Sequence, residues 1–468
     1  MFDSAVSGVP RGRGWRACHN RGRFALTQSG RGGVLIGLHS SESVGAANYD
    51  QPSTALPHLG ITKEAMSTIT DAAKPLRTAM VDRVKAVGHA STPAVEEAMR
   101  IVPRHEFVPE ASIEDAYADI AVITKSASDG SPLSCASAPT IVAMMLDQLQ
   151  VEPGNRILEI GAGTGYNAAL LTQLTGPGGA VTTVDIDPEV TAGARRGLDE
   201  TGNDHVNVIT RDGSLGAAEN APYDRIIFTV GAWDLTPAFW EQLAPDGRLV
   251  VPLRWRGQTR SVAFVRDGDA LVSDSMELCG FVPMIGQEGE RSGAIDSEDL
   301  VTLYWDADQT IDATKLSGVL DQSKETIWSK VLVGPQDPFD SIWLRITGRD
   351  SRICRISADR AAVDAGLCTP AIPIRSPALA EDDSLAYLVF RKIEEGTFEL
   401  GAIGHGPNGR HLAGQLCHEI EAWNHDRNAR PTVRVYLAAT ARSAHSFDQA
   451  MTHQTIEKTA SRLVVTVS

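Results

Sequence analysis

The sequence predicts an α/β fold, a doubly wound parallel sheet with helices on both faces, followed by an added C-terminal α+β domain. Three observations carry that expectation. Residues 156–174 read as strand, glycine turn and helix. Strand and helix patterns then alternate as far as residue 252. From about residue 292 they give way to Asp-rich connectors and short strands. In the first of these stretches an apolar strand over 156–160 runs into Gly161, Gly163 and Gly165, and an apolar helix over 168–174 follows. Alternate glycines let the chain turn sharply and approach a ligand for which a side chain would leave no room. The dinucleotide fingerprint needs a glycine three residues after the second one, and Tyr166 stands there instead.

A second strand over 180–184 ends in Asp185, about twenty residues past the loop, where a carboxylate can accept both hydroxyls of a ribose. A third over 206–210 ends in Asp212-Gly213, a place to meet an adenine edge. A fourth over 225–230 and a fifth over 248–252 flank a helix over 236–243 that stops at Pro245-Asp246-Gly247; residues 261–265 and 271–279 read as late strands of the same sheet. Ligands of such Rossmann-like sheets bind at the carboxyl ends of the strands, where all these residues lie. Taken singly, Glu159, Asp185 and Asp212 would each pass for a helix cap or a solvated turn residue. Three at successive strand ends suit the S-adenosylmethionine (SAM) loop of class I SAM methyltransferases, with another nucleotide, or none, as the alternative.

A chain of 468 residues, 42% hydrophobic, is long enough for two domains with sizeable cores. Its net charge of −16 weighs against a general nucleic-acid binder or a partner for anionic membranes, since phosphate attracts the opposite sign. The six cysteines are widely spaced, with no C-x-x-C pair, as in the reduced thiols of a cytoplasmic protein. No apolar run reaches the length of a transmembrane helix. No pattern in the chain specifies an oligomeric state or a metal site.

Residues 1–60 carry Arg11, Arg13, Arg16, Arg21, Arg23 and Arg31 among glycine and serine, and read as a disordered extension or an upstream mis-start. An RNA-binding arm is the sharper alternative, but interleaved aromatics are lacking. The catalytic domain is expected over 61–290. It opens with a helix that puts Leu76, Met80, Val84 and Val87 on one face, then a second helix from Pro93 through Ile101. In the domain expected over 291–468, residues 384–391 and 397–403 read as partner strands, and 430–437 and 463–467 as further ones. Residues 409–425 carry Leu412, Leu416, Ile420 and Trp423 at helical spacing, a buried stripe. His405 and His411 flank a Gly-Pro-Asn-Gly turn, a setting for a turn rather than a ligand site.

Ahead of the glycine loop stand Val102-Pro103-Arg104-His105-Glu106-Phe107-Val108-Pro109 and Ala116-Tyr117-Ala118-Asp119. With Ser137-Ala138-Pro139 and Phe281-Val282-Pro283, this resembles the protein-L-isoaspartate O-methyltransferases over about residues 70–285. The resemblance implies SAM as donor and an isoaspartyl or aspartyl carboxylate of a peptide or protein as acceptor. It also implies cofactor contacts at Glu159, Gly161, Gly163, Gly165, Asp185, Asp212 and Gly213, and acceptor contacts at Ser137, Ala138, Thr229 and Val230. The chain departs from the family in the acceptor segments. The usual Gln-Thr-Ile-Ser-Gln-Pro is Ser134-Cys135-Ala136-Ser137-Ala138-Pro139, and Thr-Ala-Ala-Pro-Pro is Thr229-Val230-Gly231-Ala232-Trp233; the loop between Asp119 and Ser137, with Lys125 and Asp129, is longer than usual. The extra domain is similar to that of two-domain actinobacterial relatives that mature ribosomal peptides of the lanthipeptide type.

The implied chemistry asks little of side chains. A carboxylate with a pKa near ~4 is already ionised and needs no general base. Burial is costly for it unless donors meet it, so Ser137 is the candidate catalytic residue, its hydroxyl orienting one carboxylate oxygen. A plain helix N-cap before Pro139 is the alternative role for Ser137. Cys135 reads as a packing substitute for threonine rather than a nucleophile. The ester formed would then lose methanol to the next backbone nitrogen, giving a succinimide. Three functions stand beside peptide maturation: general isoaspartate repair, a catalytically inactive peptide-binding protein, and a small-molecule O-methyltransferase, which the Val-Pro-Arg segment disfavours. The C-terminal domain is expected to recognise the peptide.

Overall fold

Strands buried on both faces need apolar residues on both, and the central strands supply them. In the computed structural model, Arg156–Ile160 pairs in parallel with Ala180–Asp185 on one side and Tyr223–Phe228 on the other. Asn207–Thr210 and Leu243–Trp255 extend the parallel run at its two ends. Side chains alternate between faces. Ile157, Val181, Ile227 and Val250 join one core with the helices Pro139–Leu149 and Tyr166–Thr175; Leu158, Ile160, Val184, Ile226 and Phe228 join another with Phe239 and Trp240. The structure describes residues 27–29, 33–35, 63–439 and 452–467. Among these, no helix is long and apolar enough to cross a membrane.

The sheet does not end with its parallel part. Gln258–Asp267 and Ala270–Leu278 add antiparallel strands, and Thr432–Leu437, Ser461–Val467 and Thr452–Glu457 continue them, ten strands in all. The sequence division at residue 290 therefore does not run to the chain's end as two separate sheets. Val433 and Val435 alternate with Arg434, and such a strand needs one apolar surface to lie on. The edge of Ala270–Leu278 supplies it, so Val433, Val435, Leu463 and Val465 share the core of Leu253 and Phe264.

Between these two passes lies a seven-stranded antiparallel sheet in the order Glu290–Ala294, Val301–Asp306, Ile353–Ala358, Ser376–Glu381, Ser384–Glu394, Thr397–His405 and Lys324–Val333. The helix Gly409–His425 packs on it with Leu412, Leu416, Ile420 and Trp423 buried, the stripe its spacing predicts. At the other end of the chain, Lys63–Ala86 and Pro93–Ile101 are the expected helices, and Met80, Val84 and Met99 reach the first core.

Two stretches differ from expectation. The long loop after Asp119 is a β-hairpin, Val122–Ser126 with Pro132–Ala136. Its turn is built by Asp129, whose carboxylate accepts from the Ser131 N–H at 2.9 Å, and by Gly130 at φ +83°. Within the N-terminal segment, Thr27–Ser29 pairs with Gly33–Leu35; the remainder of that segment to residue 62, whose first sixty residues are expected to be disordered, lies outside the described residues.

Candidate active site

The turn after Arg156–Ile160 is forced into shape by its glycines. Gly161, Gly163 and Gly165 all take left-handed backbone angles, at φ +101°, +51° and +87°. A Cβ on Gly161 would lie 2.5 Å from Thr229 Oγ1 and 2.9 Å from Val230 Cγ1, so both the angle and the space demand glycine. A Cβ on Gly165 would stand 3.0 Å from the Ala194 carbonyl, where the helix Pro188–Glu200 crosses beneath. The Gly163 N–H donates to Asp185 Oδ2 at 3.3 Å, which ties the loop to the end of the neighbouring strand.

Glu159 is fully buried under this turn. Thr183 Oγ1 donates to one carboxylate oxygen at 2.6 Å and Asn167 Nδ2 to the other at 2.8 Å. Burial pushes its carboxyl up to about 7, against the pull of those two donors. Both oxygens have protein donors, so Glu159 fixes the loop from beneath. Asp185 is less enclosed; its other oxygen accepts from the Asp187 N–H at 3.2 Å, and burial raises its pKa. Each oxygen retains a lone pair beyond the one these donors use, and Asp185 itself lines a cleft.

The cleft opens between these elements. The glycine loop and Asp185 form one wall and Cys135–Ser137 an adjoining one, the Cys135 carbonyl lying 3.6 Å from where a Cβ of Gly163 would be; Val142, Met145 and Ile227 form the floor, and Thr229, Val230, Phe281 and Val282 the rim. The fold thus brings together Ser137, Glu159, Gly161, Gly163, Asp185, Thr229 and Val230. It leaves four named residues outside the lining. Ala138 is the N-cap of Pro139–Leu149, Gly165 packs against the helix below, Asp212 caps a short turn by accepting from the Ser214 N–H at 2.9 Å, and Gly213 is buried against Ile160.

The N-cap reading of Ser137 fails. Asp119, arriving from another segment, caps that helix by accepting from the Thr140 N–H at 2.9 Å and hydroxyl at 2.6 Å. Ser137 lines the cleft with its side chain hydrogen-bonded to the Cys135 thiol, whose pKa burial raises against that bond. Arg104, which the sequence marks only as part of a motif, is the staple of this wall. Fully buried, it donates to the carbonyls of Ser137 at 2.8 Å, Ala136 at 3.2 Å and Ala116 at 2.8 Å, and its guanidinium lies 5.0 Å over the Tyr166 ring. Lys125 ties the hairpin to the start of the helix Pro188–Glu200 through Asp187 at 2.6 Å. An Asp-Gly turn between extended runs was the available signal for that hairpin. Nothing in the local sequence announces the Thr183 and Asn167 donors.

A glycine loop at the carboxyl end of a central parallel strand, an acid at the end of the next and a cleft between them define a class I methyltransferase fold. Residues 76–289 match the family described as Protein-L-isoaspartate(D-aspartate) O-methyltransferase (PCMT). The chain is 41% identical over 221 residues to a protein-L-isoaspartate O-methyltransferase of Methanopyrus kandleri, spanning 92% of that protein and 46% of this one. It is 39% identical over 215 residues to one from Methanococcoides burtonii, spanning 100% of that protein and 45% of this one. A solved protein-L-isoaspartate O-methyltransferase superposes with a TM-score of 0.43 at 19% identity, over 76% of this chain and 96% of that one. The chain belongs to the protein-L-isoaspartate O-methyltransferase family.

Proposed function

We propose that this protein is a SAM-dependent carboxyl O-methyltransferase that esterifies an aspartyl or isoaspartyl carboxylate in a peptide, in the service of peptide maturation. The observation that carries the reading is the one cleft lined by the glycine turn, Asp185 and Ser137 together. The cleft suits the cofactor. Left-handed glycines keep Cβ atoms off its wall, and Asp185 offers lone pairs for a ribose diol. SAM supplies an electrophilic sulfonium methyl when bound. Gly161, Gly163 and Asp185 would hold it and Glu159 and Gly165 shape the loop, while Asp212 and Gly213, outside the cleft lining, would meet only an adenine that extends beyond it.

On the acceptor side, Ser137 donates to one carboxylate oxygen while Arg104 keeps the Ala136 and Ser137 carbonyls turned away, toward itself. Thr229 and Val230 bound the acceptor from the rim, and Ala138 supports the Ser137 wall from behind as the first residue before the helix. No proton need move at the oxygen attacked; the protein's task is alignment, which supplies ~7–11 kcal/mol in well-oriented reactions.

The altered residues 134–139 and 229–233, together with the segment beyond residue 289 that the family match does not reach, favour one dedicated peptide over many damaged proteins. In this reading the inserted seven-stranded unit recognises the peptide. All five described cysteines are free thiols, in keeping with a cytoplasmic setting. The test is methyl transfer from labelled SAM to a panel of unrelated isoaspartyl peptides and to aspartate-bearing precursor peptides encoded beside this gene. Maturation predicts transfer to one precursor, followed by loss of methanol; transfer across the whole panel would make the protein a repair enzyme. Cofactor binding without turnover on any of them would make it a binding protein.

A further inference from the structure

The rim loop after the fourth parallel strand, residues 229–235, is gripped at its far end by the last hairpin of the chain. Lys458 stands at the turn between Thr452–Glu457 and Ser461–Val467 and is buried. Its ammonium donates to the carbonyl oxygens of Trp233 and Arg254 and lies 4.1 Å from the centroid of the Trp233 ring. Beside it the Asp234 carboxylate accepts from the Ala460 N–H at 2.7 Å and the Ser461 hydroxyl at 2.6 Å. From the other side, Gln287 Oε1 accepts from the Trp233 N–H at 2.7 Å, and Gly289 lies so close that a Cβ would sit 1.9 Å from the indole.

A buried ammonium is an expensive way to fill space. Burial pushes Lys458 down to about 8, with the Asp306 and Asp234 carboxylates acting against it. What the cation does for that cost is visible in its bonds. It satisfies two main-chain carbonyls that would otherwise be buried without its donors, and so fixes the backbone at Trp233, three residues from Val230 on the cleft rim. The family match ends at residue 289, so this grip comes from outside the shared catalytic unit.

We propose that Lys458 and Asp234 are positioning residues, through which the C-terminal hairpin sets the shape of the 229–233 loop and hence of the acceptor side of the cleft. The inference rests on the reading that Thr229 and Val230 face the acceptor. The cofactor wall, built by residues 161–185, meets this loop where Gly161 lies against Thr229 and Val230, at the end of the loop away from the grip on Trp233 and Asp234.

The test uses the full chain carrying Lys458→Met, which keeps the side chain's bulk and removes its donors, and separately Asp234→Asn. Three quantities are read: S-adenosylhomocysteine affinity by calorimetry, hydrogen exchange of amides 229–235, and kcat and KM for methylation of a synthetic isoaspartyl peptide. The expected result is unchanged S-adenosylhomocysteine affinity, exchange in the loop faster by about tenfold, and a KM for the peptide raised by about tenfold with a smaller change in kcat. Unchanged exchange and KM in both variants would overturn the proposal. So would a loss of cofactor affinity in step with loop exchange, since that marks general unfolding. If the unsubstituted protein transfers no methyl to this peptide, the acceptor reading fails, while the exchange measurement still judges the grip.

Discussion

Both sheets bury an ionisable group in their interior, and the two are put to different ends. In the ten-stranded sheet, Glu159 closes a parallel strand and lies under a turn that opens on the cleft. In the seven-stranded sheet, His405 closes an antiparallel strand and stacks on Tyr387, ring centroids 5.8 Å apart. Parallel strands bring all their carboxyl ends to one edge, so the residues after Ile160, after Val184 and after Phe228 meet. Antiparallel neighbours send successive ends to opposite edges, and the acids and histidines of the inserted sheet are dispersed. A binding cleft is thus a by-product of strand direction in the first sheet; in the second it would have to be assembled from loops.

Glycine substitutions test that contrast most severely. Gly161→Val forces a branched side chain into left-handed backbone and onto Thr229, and should cost about 3 kcal/mol or more, a hundredfold or greater loss of S-adenosylhomocysteine affinity by calorimetry. Gly404→Val, whose Cβ would lie 2.0 Å from the Gly409 carbonyl, should lower the melting temperature and leave the affinity of the remaining folded protein intact. Equal loss of affinity in both would erase the distinction between the sheets.

Within the cleft, Asp185→Asn should weaken S-adenosylhomocysteine about tenfold or more, and Ser137→Ala should cut kcat/KM for the peptide about tenfold while cofactor affinity holds. A Ser137→Ala variant that instead lost cofactor affinity would place the serine on the wrong wall.

The two buried groups also predict opposite pH slopes. Glu159 holds its proton to about 7, against an ordinary 4.5, so the folded state binds more protons than the unfolded one in that window. Its contribution is therefore lost as pH rises through it, by roughly 3 kcal/mol. His405 is pushed by burial to about 4 from 6.5, so the unfolded state takes up the proton first and stability falls as pH drops from 6.5 towards 4. Urea unfolding of Glu159→Gln and His405→Gln across pH 4–8 should remove the first slope and the second respectively; a shared slope would break the assignment. The smallest effect expected is that of Asp119→Ala, which uncaps Pro139–Leu149 for about 1 kcal/mol of stability.

The parallel half of the first sheet is legible in the sequence because each strand and its following helix are contiguous and doubly apolar. Gly161, Gly163 and Asp185 are legible for the same reason, since they sit at the ends of such strands; Ser137 stands out only through the resemblance to the family's motif, its place before Pro139 suggesting an N-cap instead. What escapes is whatever depends on residues far apart in the chain. Asp119 capping a helix that starts at Pro139, Thr183 holding Glu159, and Thr432–Leu437 finding the edge of Ala270–Leu278 leave no local periodicity behind. Arg104 shows the intermediate case, since its motif is visible but its three carbonyl partners are not.

The bond between Asp234 and Ser461 joins residues 227 positions apart. During synthesis the glycine turn and its parallel strands can form as they emerge, whereas the rim loop waits for the chain's final hairpin. Long-range closure of this kind is slow to form. The sequence separation of this bond therefore makes the 229–235 loop the last part of the cleft to be fixed in a folding chain, after the glycine turn and the Ser137 wall.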